Sequence, residues 1–599
     1  MRQFLKFVFA SFVGSILFVG ILIFFFVGII AVVGASADKK TTINDDSVLH
    51  LTFDNELVDR TDEGQLELDF GPFQGMSKTG LNTVLASLEH AKTDPKIKGV
   101  FLDLSSVSGG YASLREIRKK LLEFKTESGK PVIAYSDGYT QGSYYLATAA
   151  NEIYLQPKGD FDYRGLRTEY MFLKGMFAKL DVDMQFIRGS NNKFKSFGET
   201  YTEEKMSPAN REQVRLLLDG FWSEHRTAVS SSRNIPEEKL DQIAEALQVR
   251  NAPTALEFGL VDGLKFRDEV LDLLRERMDL KKGEDINTAD LRTYSRSFTP
   301  GKVKGEGETT SGKDKLAVIY AEGSIAMGKS SDGTIGGASL SETIREARED
   351  STVKAIVLRV NSPGGSGLAS DIIWREVQLA RDVKPVVVSM GNVAASGGYY
   401  IAAPATKIFA EPTTITGSIG VFGIIPNLEG FFKNKIGITF DGEKTHKFAD
   451  MMTTSRALTA EERLLIQGYI DDFYDGFIER VATGRNMTLA QVDSVGQGRV
   501  WTGTDAKRLG LVDELGGLED AIAAAAEMAG LTGYKQVEMP KQKDLLQQIM
   551  EDLGTGTSMW AASLWLGEDA KMLDQYKRLR EVREQTGIIA RMPFNLEVY

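Results

Sequence analysis

Residues 354–365 read Lys-Ala-Ile-Val-Leu-Arg-Val-Asn-Ser-Pro-Gly-Gly, and residues 98–110 read Lys-Gly-Val-Phe-Leu-Asp-Leu-Ser-Ser-Val-Ser-Gly-Gly. Each is a short apolar run that stops at paired glycines and leads into a helix-length stretch, and the correspondence continues downstream. Lys130-Pro-Val-Ile-Ala leads to Gln141-Gly-Ser-Tyr-Tyr-Leu-Ala, while Lys384-Pro-Val-Val-Val leads to Ser396-Gly-Gly-Tyr-Tyr-Ile-Ala. Further on, Gly259-Leu-Val-Asp is matched by Gly510-Leu-Val-Asp. A period of roughly 250 residues is too long for a solenoid and implies two fused copies of one domain. Within the second copy, runs at Leu316 to Tyr320, Ala355 to Val360, Pro385 to Ser389 and Lys407 to Ala410 alternate with helical stretches at Ser341 to Arg348, Ala369 to Arg381 and Gly398 to Ala403. That βαβαβ order predicts an α/β fold with largely parallel sheets and right-handed crossovers. A helix from Ala460 to Thr483 is expected outside this core or between subunits.

Outward from the repeat, the chain divides into an N-terminal anchor (1–37), a first copy (45–280), a linker (281–315), a second copy (316–535) and a C-terminal tail with helix-like patterning (536–599). The linker is placed where Gly, Lys, Glu, Ser and Thr dominate and large apolar residues are few. From Phe7 to Gly34 no residue is charged. At 1.5 Å per residue a helix of that length exceeds the ~30 Å hydrocarbon core, so residues 7–33 are expected to span a lipid bilayer. Ala35-Ser36-Ala37 resembles a signal-peptidase cleavage site, but the apolar stretch far exceeds the ~7–15 residues of a cleaved signal. Arg2 and Lys6 precede it, which favours a cytoplasmic N-terminus and a body on the other side.

The 599 residues contain no cysteine, four histidines, 71 Lys and Arg, and 83 Asp and Glu, for a net charge of −12. Thiolate nucleophiles, zinc-finger clusters and disulfide frameworks are thereby excluded. The acidic balance argues against nucleic acid as a partner, which requires a basic footprint.

The chemistry-bearing residues gather where strands of the second copy end. Asn361-Ser-Pro-Gly-Gly-Ser-Gly follows one strand and Gly391-Asn-Val-Ala-Ala-Ser396-Gly-Gly follows the next, which brings both to the carboxyl edge of a parallel sheet. Gly364 and Gly365 allow backbone N–H groups to face a developing oxyanion. Ser396 reads either as a nucleophile at a helix start or as a simple N-cap. The first copy has Gln141 in its place, so a hydroxyl is retained in only one half. A serine nucleophile needs a base. His446 is the only histidine of the second copy, and a desolvated lysine is the other option, since burial lets a neutral amine accept a proton. Gly323 to Ser330 fits a phosphate-binding loop pattern, but Ser331-Asp-Gly-Thr-Ile-Gly-Gly follows it where a helix is required.

Together, Asn361-Ser-Pro-Gly-Gly-Ser, Ala395-Ser-Gly-Gly-Tyr-Tyr, Thr416-Gly-Ser-Ile-Gly, the anchor and the tandem copies resemble the signal peptide peptidase A family, also called protease IV, in its long bacterial form. The resemblance implies two tandem Clp protease/crotonase-like domains and a serine endopeptidase with a Ser–Lys dyad. It implies Ser396 as nucleophile, Gly364 as oxyanion donor, Lys195 of Phe194-Lys-Ser as general base, and Ser418 as the residue orienting the lysine. Lys447 stands twelve residues before Thr459, as Lys195 stands twelve before Ser207, and is the alternative base. No cofactor or metal is implied. The implied partners are signal peptides and other short hydrophobic peptides, within a homotetramer at the bacterial inner membrane whose catalytic body faces the periplasm. A crotonase-like acyl-CoA enzyme and a catalytically inert membrane scaffold are the alternatives.

Overall fold

A computed structural model describes residues 42–61, 78–278, 280, 283–298, 302–303, 314–331, 333–541 and 588–592, with scattered positions between 6 and 21. Most of the stretch expected to span a bilayer lies outside these residues, as do Ala35 to Ala37. Among the described residues no helix is long and apolar enough to cross a membrane.

Both copies are built on parallel sheets. In the first, strands Ser47–Val58, Ile97–Ser108, Val132–Tyr139 and Glu152–Phe161 are parallel neighbours. In the second, Lys315–Glu322, Val353–Ser362 and Val386–Ala395 pair the same way, and the last also pairs in parallel with Lys407–Ala410 and Ile415–Gly417. Leu316, Val318, Val357 and Val387 are buried on one face of the second sheet, while Ala317, Ile319, Ile356 and Val388 are buried on the other. Burial on both faces explains why these strands read as continuous apolar runs without alternation. The crossover helices Gly337–Glu349 and Gly367–Arg381 fall where the sequence predicts them. The helix Ala460–Arg485 lies outside the sheet and buries Ile466, Ile470, Tyr474, Phe477 and Val481 in the same core.

The copies share their internal clamps as well as their order. Tyr144 donates its hydroxyl to the Leu260 carbonyl at 2.7 Å, and Tyr399 donates to Leu511 at 2.9 Å. Asp262 accepts the Ile153 N–H at 2.7 Å, and Asp513 accepts that of Ile408 at 2.8 Å. Each long helix, Pro208–Arg233 and Ala460–Arg485, is 26 residues long and ends on a left-handed asparagine, Asn234 or Asn486.

The two copies interlock. Arg359, wholly buried in the second copy, donates to Asp59 and Glu116 of the first and to the Ser389 hydroxyl. A buried cation with two buried carboxylates holds only while every partner stays in place, so this cluster fastens the halves in one arrangement. A six-stranded sheet also crosses between them, ordered Thr334–Gly336, Ser324–Ala326, Gly364–Ser366, Ile588–Arg591, Phe422–Asn427, Asp183–Arg188. Its last strand belongs to the first copy and runs antiparallel to Phe422–Asn427.

Three expectations are corrected. The linker predicted over 281–315 is partly domain: Asn287–Asp290 pairs with Ser47–His50, and Tyr294 is buried in the first core, because a few well-spaced apolar residues suffice amid polar ones. The tail predicted as helical from 536 holds part of a strand, Tyr534–Met539, and a second strand, Ile588–Arg591, while residues 542–587 lie outside the described part. Gly391 to Ala395, read as loop, continues the strand Val386–Ala395 after a register shift beyond Val360. The phosphate-loop pattern at Gly323 to Ser330, set aside from the sequence for want of a following helix, runs through the strand Ser324–Ala326 and a turn, and the next helix opens only at Gly337.

Candidate active site

Ser396 stands between the strand Val386–Ala395 and the short helix Gly397–Ala402, with φ 57° and ψ −116°. A side-chain-bearing residue holds such a backbone only when its surroundings impose it, at about 1–3 kcal/mol. Here the Ser396 N–H donates to the Gly417 carbonyl at 2.8 Å, and its own carbonyl accepts from the Tyr400 N–H at 2.8 Å. The hydroxyl makes no capping bond. Of the two readings left open by the sequence, N-cap and nucleophile, the capping one is not what the side chain does.

The hydroxyl instead meets a lysine from the other copy. Lys195 Nζ lies 2.8 Å from Ser396 Oγ, 2.9 Å from Ser418 Oγ and 3.2 Å from the Ser418 carbonyl oxygen. Lys195, Ser396 and Ser418 are all completely buried. Burial with no carboxylate to compensate holds the amine well below the ordinary lysine range. The neutral amine has two hydrogens and one lone pair. The Ser418 carbonyl can only accept, and the Ser418 hydroxyl reaches the Gly498 carbonyl at 3.4 Å, leaving its oxygen to accept from Nζ. With both amine hydrogens on Ser418 the lone pair is left for the Ser396 proton, for which the Gly420 carbonyl at 3.4 Å is the other acceptor within reach. This arrangement can generate an alkoxide without histidine.

The segment carrying Lys195 is pinned from both copies. Phe194 N–H donates to the Gln497 carbonyl at 2.9 Å. Gln213, on the helix Pro208–Arg233, donates to the Phe194 carbonyl and to Ser196 Oγ and accepts from the Val500 N–H. Gly498 has φ +79°, and a Cβ on it would sit 2.6 Å from that of Lys195, so glycine is required for the lysine to enter. Ser418, at φ 49°, donates its N–H to the Arg499 carbonyl at 2.7 Å, which aims its side chain back at the amine.

Gly364 lies against the start of the Ser396 helix: a Cβ built on it would approach the Gly397 nitrogen to 2.6 Å. Its φ is +95°, and its N–H donates to the Ser362 hydroxyl at 3.1 Å. Serving an oxyanion would therefore require Ser362 to yield that hydrogen. The nitrogen of Gly397, in the first turn of its helix, lies beside Gly364 and was not singled out from sequence. Gln213, Gly498 and Ser362 were also missed. Gly498 had a signal in the Gly496-Gln-Gly spacing, whereas Gln213 is one polar residue among many on a helix.

The remaining sequence candidates lie elsewhere. Lys447 has a side chain 66% exposed and pairs with Glu461, and His446 is exposed beside Thr445. Neither is brought to Ser396 by any recorded contact. In the first copy Gln141 is buried, but its amide closes a loop, bonding the N–H and carbonyl of Gly165 at 3.0 and 2.8 Å.

A serine at a strained strand-to-helix junction, with a desolvated amine on its hydroxyl and glycines beside it, has the parts of a serine hydrolase. The chain matches the family model described as Peptidase family S49 over residues 124–281 and 378–532, one segment in each copy. It is 39% identical over 488 residues to "Protease 4" of Salmonella typhi, covering 80% of this chain and 76% of that protein. It is 36% identical to "Protease 4" of Haemophilus influenzae (82% and 80% covered) and 34% identical to "Serine protease SPPA, chloroplastic" of Arabidopsis thaliana (85% and 73%). The protein is a serine peptidase. It belongs to peptidase family S49, which removes the ground for the acyl-CoA and inert-scaffold alternatives.

Proposed function

We propose that the protein is an endopeptidase using a Ser–Lys dyad split between its two copies. Ser396 attacks the scissile carbonyl, neutral Lys195 takes the Ser396 proton and later delivers it to the leaving amine, and Ser418 holds the amine in line. The tetrahedral oxyanion is received by the N–H of Gly364, with that of Gly397 beside it. No metal or nucleotide enters these steps. The observation that carries this reading is the 2.8 Å contact between Lys195 Nζ and Ser396 Oγ in a fully buried setting.

The substrates we propose are released signal peptides and other short hydrophobic peptides. The uncharged stretch 7–33 supports a single membrane anchor, with the catalytic body on the periplasmic side of a bacterial inner membrane. Paired Clp protease/crotonase-like domains assembled as a homotetramer are part of the same reading, which rests there on the family resemblance. The test is cleavage of a synthetic apolar signal-peptide sequence by the purified full chain. Ser396→Ala is expected to lose at least ~10³-fold in kcat/KM while keeping the hydrodynamic size of the parent. Undiminished cleavage by that variant would overturn the reading.

A further inference from the structure

Lys195 comes from the first copy and Ser396 from the second, so the 2.8 Å contact between them depends on how the copies are held at that spot. Ser396 follows the strand Val386–Ala395, which is irregular just before it. From Met390 to Ala394 the strand takes four steps where its neighbour takes two, from Val360 to Ser362. Such a bulge re-aims a side chain out of the strand's alternation. The bulge is tied on both sides within the second copy: Thr414 donates its hydroxyl to the Gly391 carbonyl at 2.8 Å, and Asn361 Oδ1 accepts the Val393 N–H at 3.2 Å. Asn392, between them, reaches the other copy. Its Oδ1 accepts the Ser113 N–H at 3.1 Å, and its Nδ2 donates to Ser113 Oγ at 2.8 Å.

Those bonds cap a helix. Tyr111–Ser128 starts after Gly110, which has no side chain to offer, and Ser113 is its third residue, whose N–H an N-cap side chain ordinarily takes. The second-copy helix Gly367–Arg381 uses its own Ser366, which accepts the Ala369 N–H at 3.3 Å. The first-copy helix borrows its cap from the nucleophile's strand. Glycine at 110 leaves the room, since a Cβ there would be 2.3 Å from the Asn392 side chain. From Ser113 a continuous path leads to the lysine. Arg115 donates to Glu224 of the helix Pro208–Arg233 at 2.9 Å. Tyr111, Leu217 and Phe221 of the same two helices pack with Ala395, the residue before Ser396. Gln213, on the second of those helices, holds the Phe194 carbonyl and Ser196 Oγ on either side of Lys195. Ser396 and Lys195 are therefore joined twice, directly and around a loop through Asn392, two helices and Gln213.

We propose that Asn392 is a positioning residue for the dyad: its paired bonds to Ser113 fix where the nucleophile's strand meets the copy that supplies the base. It acts through the strand and the helix it joins, not on the reacting atoms. This rests on the reading that Ser396 and Lys195 cleave peptides. A misplacement of about 1 Å between reacting groups can cost ~10²-fold in rate, so the effect belongs in kcat and not in KM. Loosening the copies here also admits water beside Lys195, whose amine is held low by burial. Its ionisation then moves up toward the ordinary lysine value of 10.5.

The test is a cycle of Asn392→Ala, Ser113→Ala and the double variant in the full chain. Each is scored by cleavage of an apolar peptide, by labelling of Ser396 with a serine-directed phosphonate and by thermal unfolding. Asn392→Ala is expected to lose ~10–100-fold in kcat with KM within about twofold, to label more slowly, and to shift the midpoint of its pH profile upward. Ser113→Ala keeps the bond from its N–H and is expected to lose only ~3–10-fold in kcat. The double variant should be no worse than Asn392→Ala, because both changes break one contact. Asn392→Asp, whose carboxylate can accept from both the N–H and the hydroxyl of Ser113, is expected to recover kcat to within about threefold of the parent. A lower melting temperature in Asn392→Ala with kcat per folded molecule and midpoint unchanged would overturn the proposal, as would multiplying effects in the double variant. Should Asn392→Ala not fold, Ser113→Ala decides: an unchanged kcat would overturn the proposal, and the stated fall would sustain it. Retained cleavage in Ser396→Ala would instead sink the peptidase assignment, so the two failures are distinguishable.

Discussion

At the junction of strand and short helix the two copies have diverged in a way that separates scaffold from chemistry. In the first, Thr140 has an ordinary extended backbone (φ −77°, ψ 163°) and forms a reciprocal capping box with Ser143. Gln141 then ties down the loop at Gly165. In the second, no side chain caps the helix, and Ser396 sits at φ 57°. The copy without the hydroxyl has relaxed into satisfied bonds, and the copy with it retains strain and an uncapped helix start. The glycine pairs differ in the same sense. A Cβ on Gly109, the counterpart of Gly364, would meet the Leu57 side chain at 3.1 Å, and one on Gly110 would run into the Asn392 side chain of the other copy at 2.3 Å, so that corner is closed, whereas the Gly364 corner receives a peptide carbonyl. One corner has become an interface and the other has stayed a groove.

That contrast can be broken experimentally. The largest effect expected is that activity cannot be moved between copies: Gln141→Ser introduced into Ser396→Ala should stay at least ~10³-fold below the parent in peptide cleavage, because among the described residues the Gln141 side chain meets backbone of Arg164 and Gly165 and no lysine, and its corner is closed. Recovered cleavage would mean that the first copy is a working site lacking one atom group. Next is Arg359, whose counterpart in the repeat is Asp103. Arg359→Ala leaves Asp59 and Glu116 buried without their cation, and about 3–5 kcal/mol of stability should be lost in denaturant unfolding. A loss below ~1 kcal/mol would mean that the cluster does not fasten the halves.

Ser418→Ala removes one acceptor for the amine and leaves the Ser418 carbonyl. We expect a ~10–100-fold fall in kcat with KM little altered, together with a displaced pH profile. The sign of that profile follows from burial. In the proposed mechanism Lys195 acts as the neutral amine, and desolvation lowers its pKa, so kcat/KM should rise with pH through an ionisation below the ordinary lysine value of 10.5. Ser418→Ala should move the midpoint, whereas a merely structural loss would lower the plateau and leave the midpoint in place. The smallest effect is expected for Gln141→Ala, which undoes the bonds to Gly165 at about 1 kcal/mol of stability with cleavage unaffected, as measured by thermal unfolding and peptide turnover.

The parallel sheets were legible because burial on both faces leaves continuous apolar runs, and the repeat made each run appear twice. Ser396 was legible because paired glycines and a tyrosine pair bracket it in one copy and Gln141 replaces it in the other. What stayed hidden is of another kind. Gly364–Ser366 and Ile588–Arg591 are short strands defined by partners distant in sequence, and no local pattern announces such a pairing. Gln213 acts by reaching backbone groups of two separate segments, a role that side-chain type does not encode. Asn287–Asp290 looked like linker because a four-residue edge strand needs only one buried residue, Ala289. The choice between Lys195 and Lys447 also turned on position, since equivalent places in the repeat put one amine in the core and the other in solvent.

That choice is the centre of the proposal, and one measurement addresses it directly. The full chain, Lys195→Ala and Lys447→Ala are each incubated with a serine-directed phosphonate, and the rate of modification at Ser396 is followed by mass spectrometry. The split dyad predicts modification of the parent and of Lys447→Ala at rates within about twofold, and a fall of at least ~10³-fold in Lys195→Ala. Undiminished modification of Lys195→Ala, or its loss in Lys447→Ala alone, would contradict it.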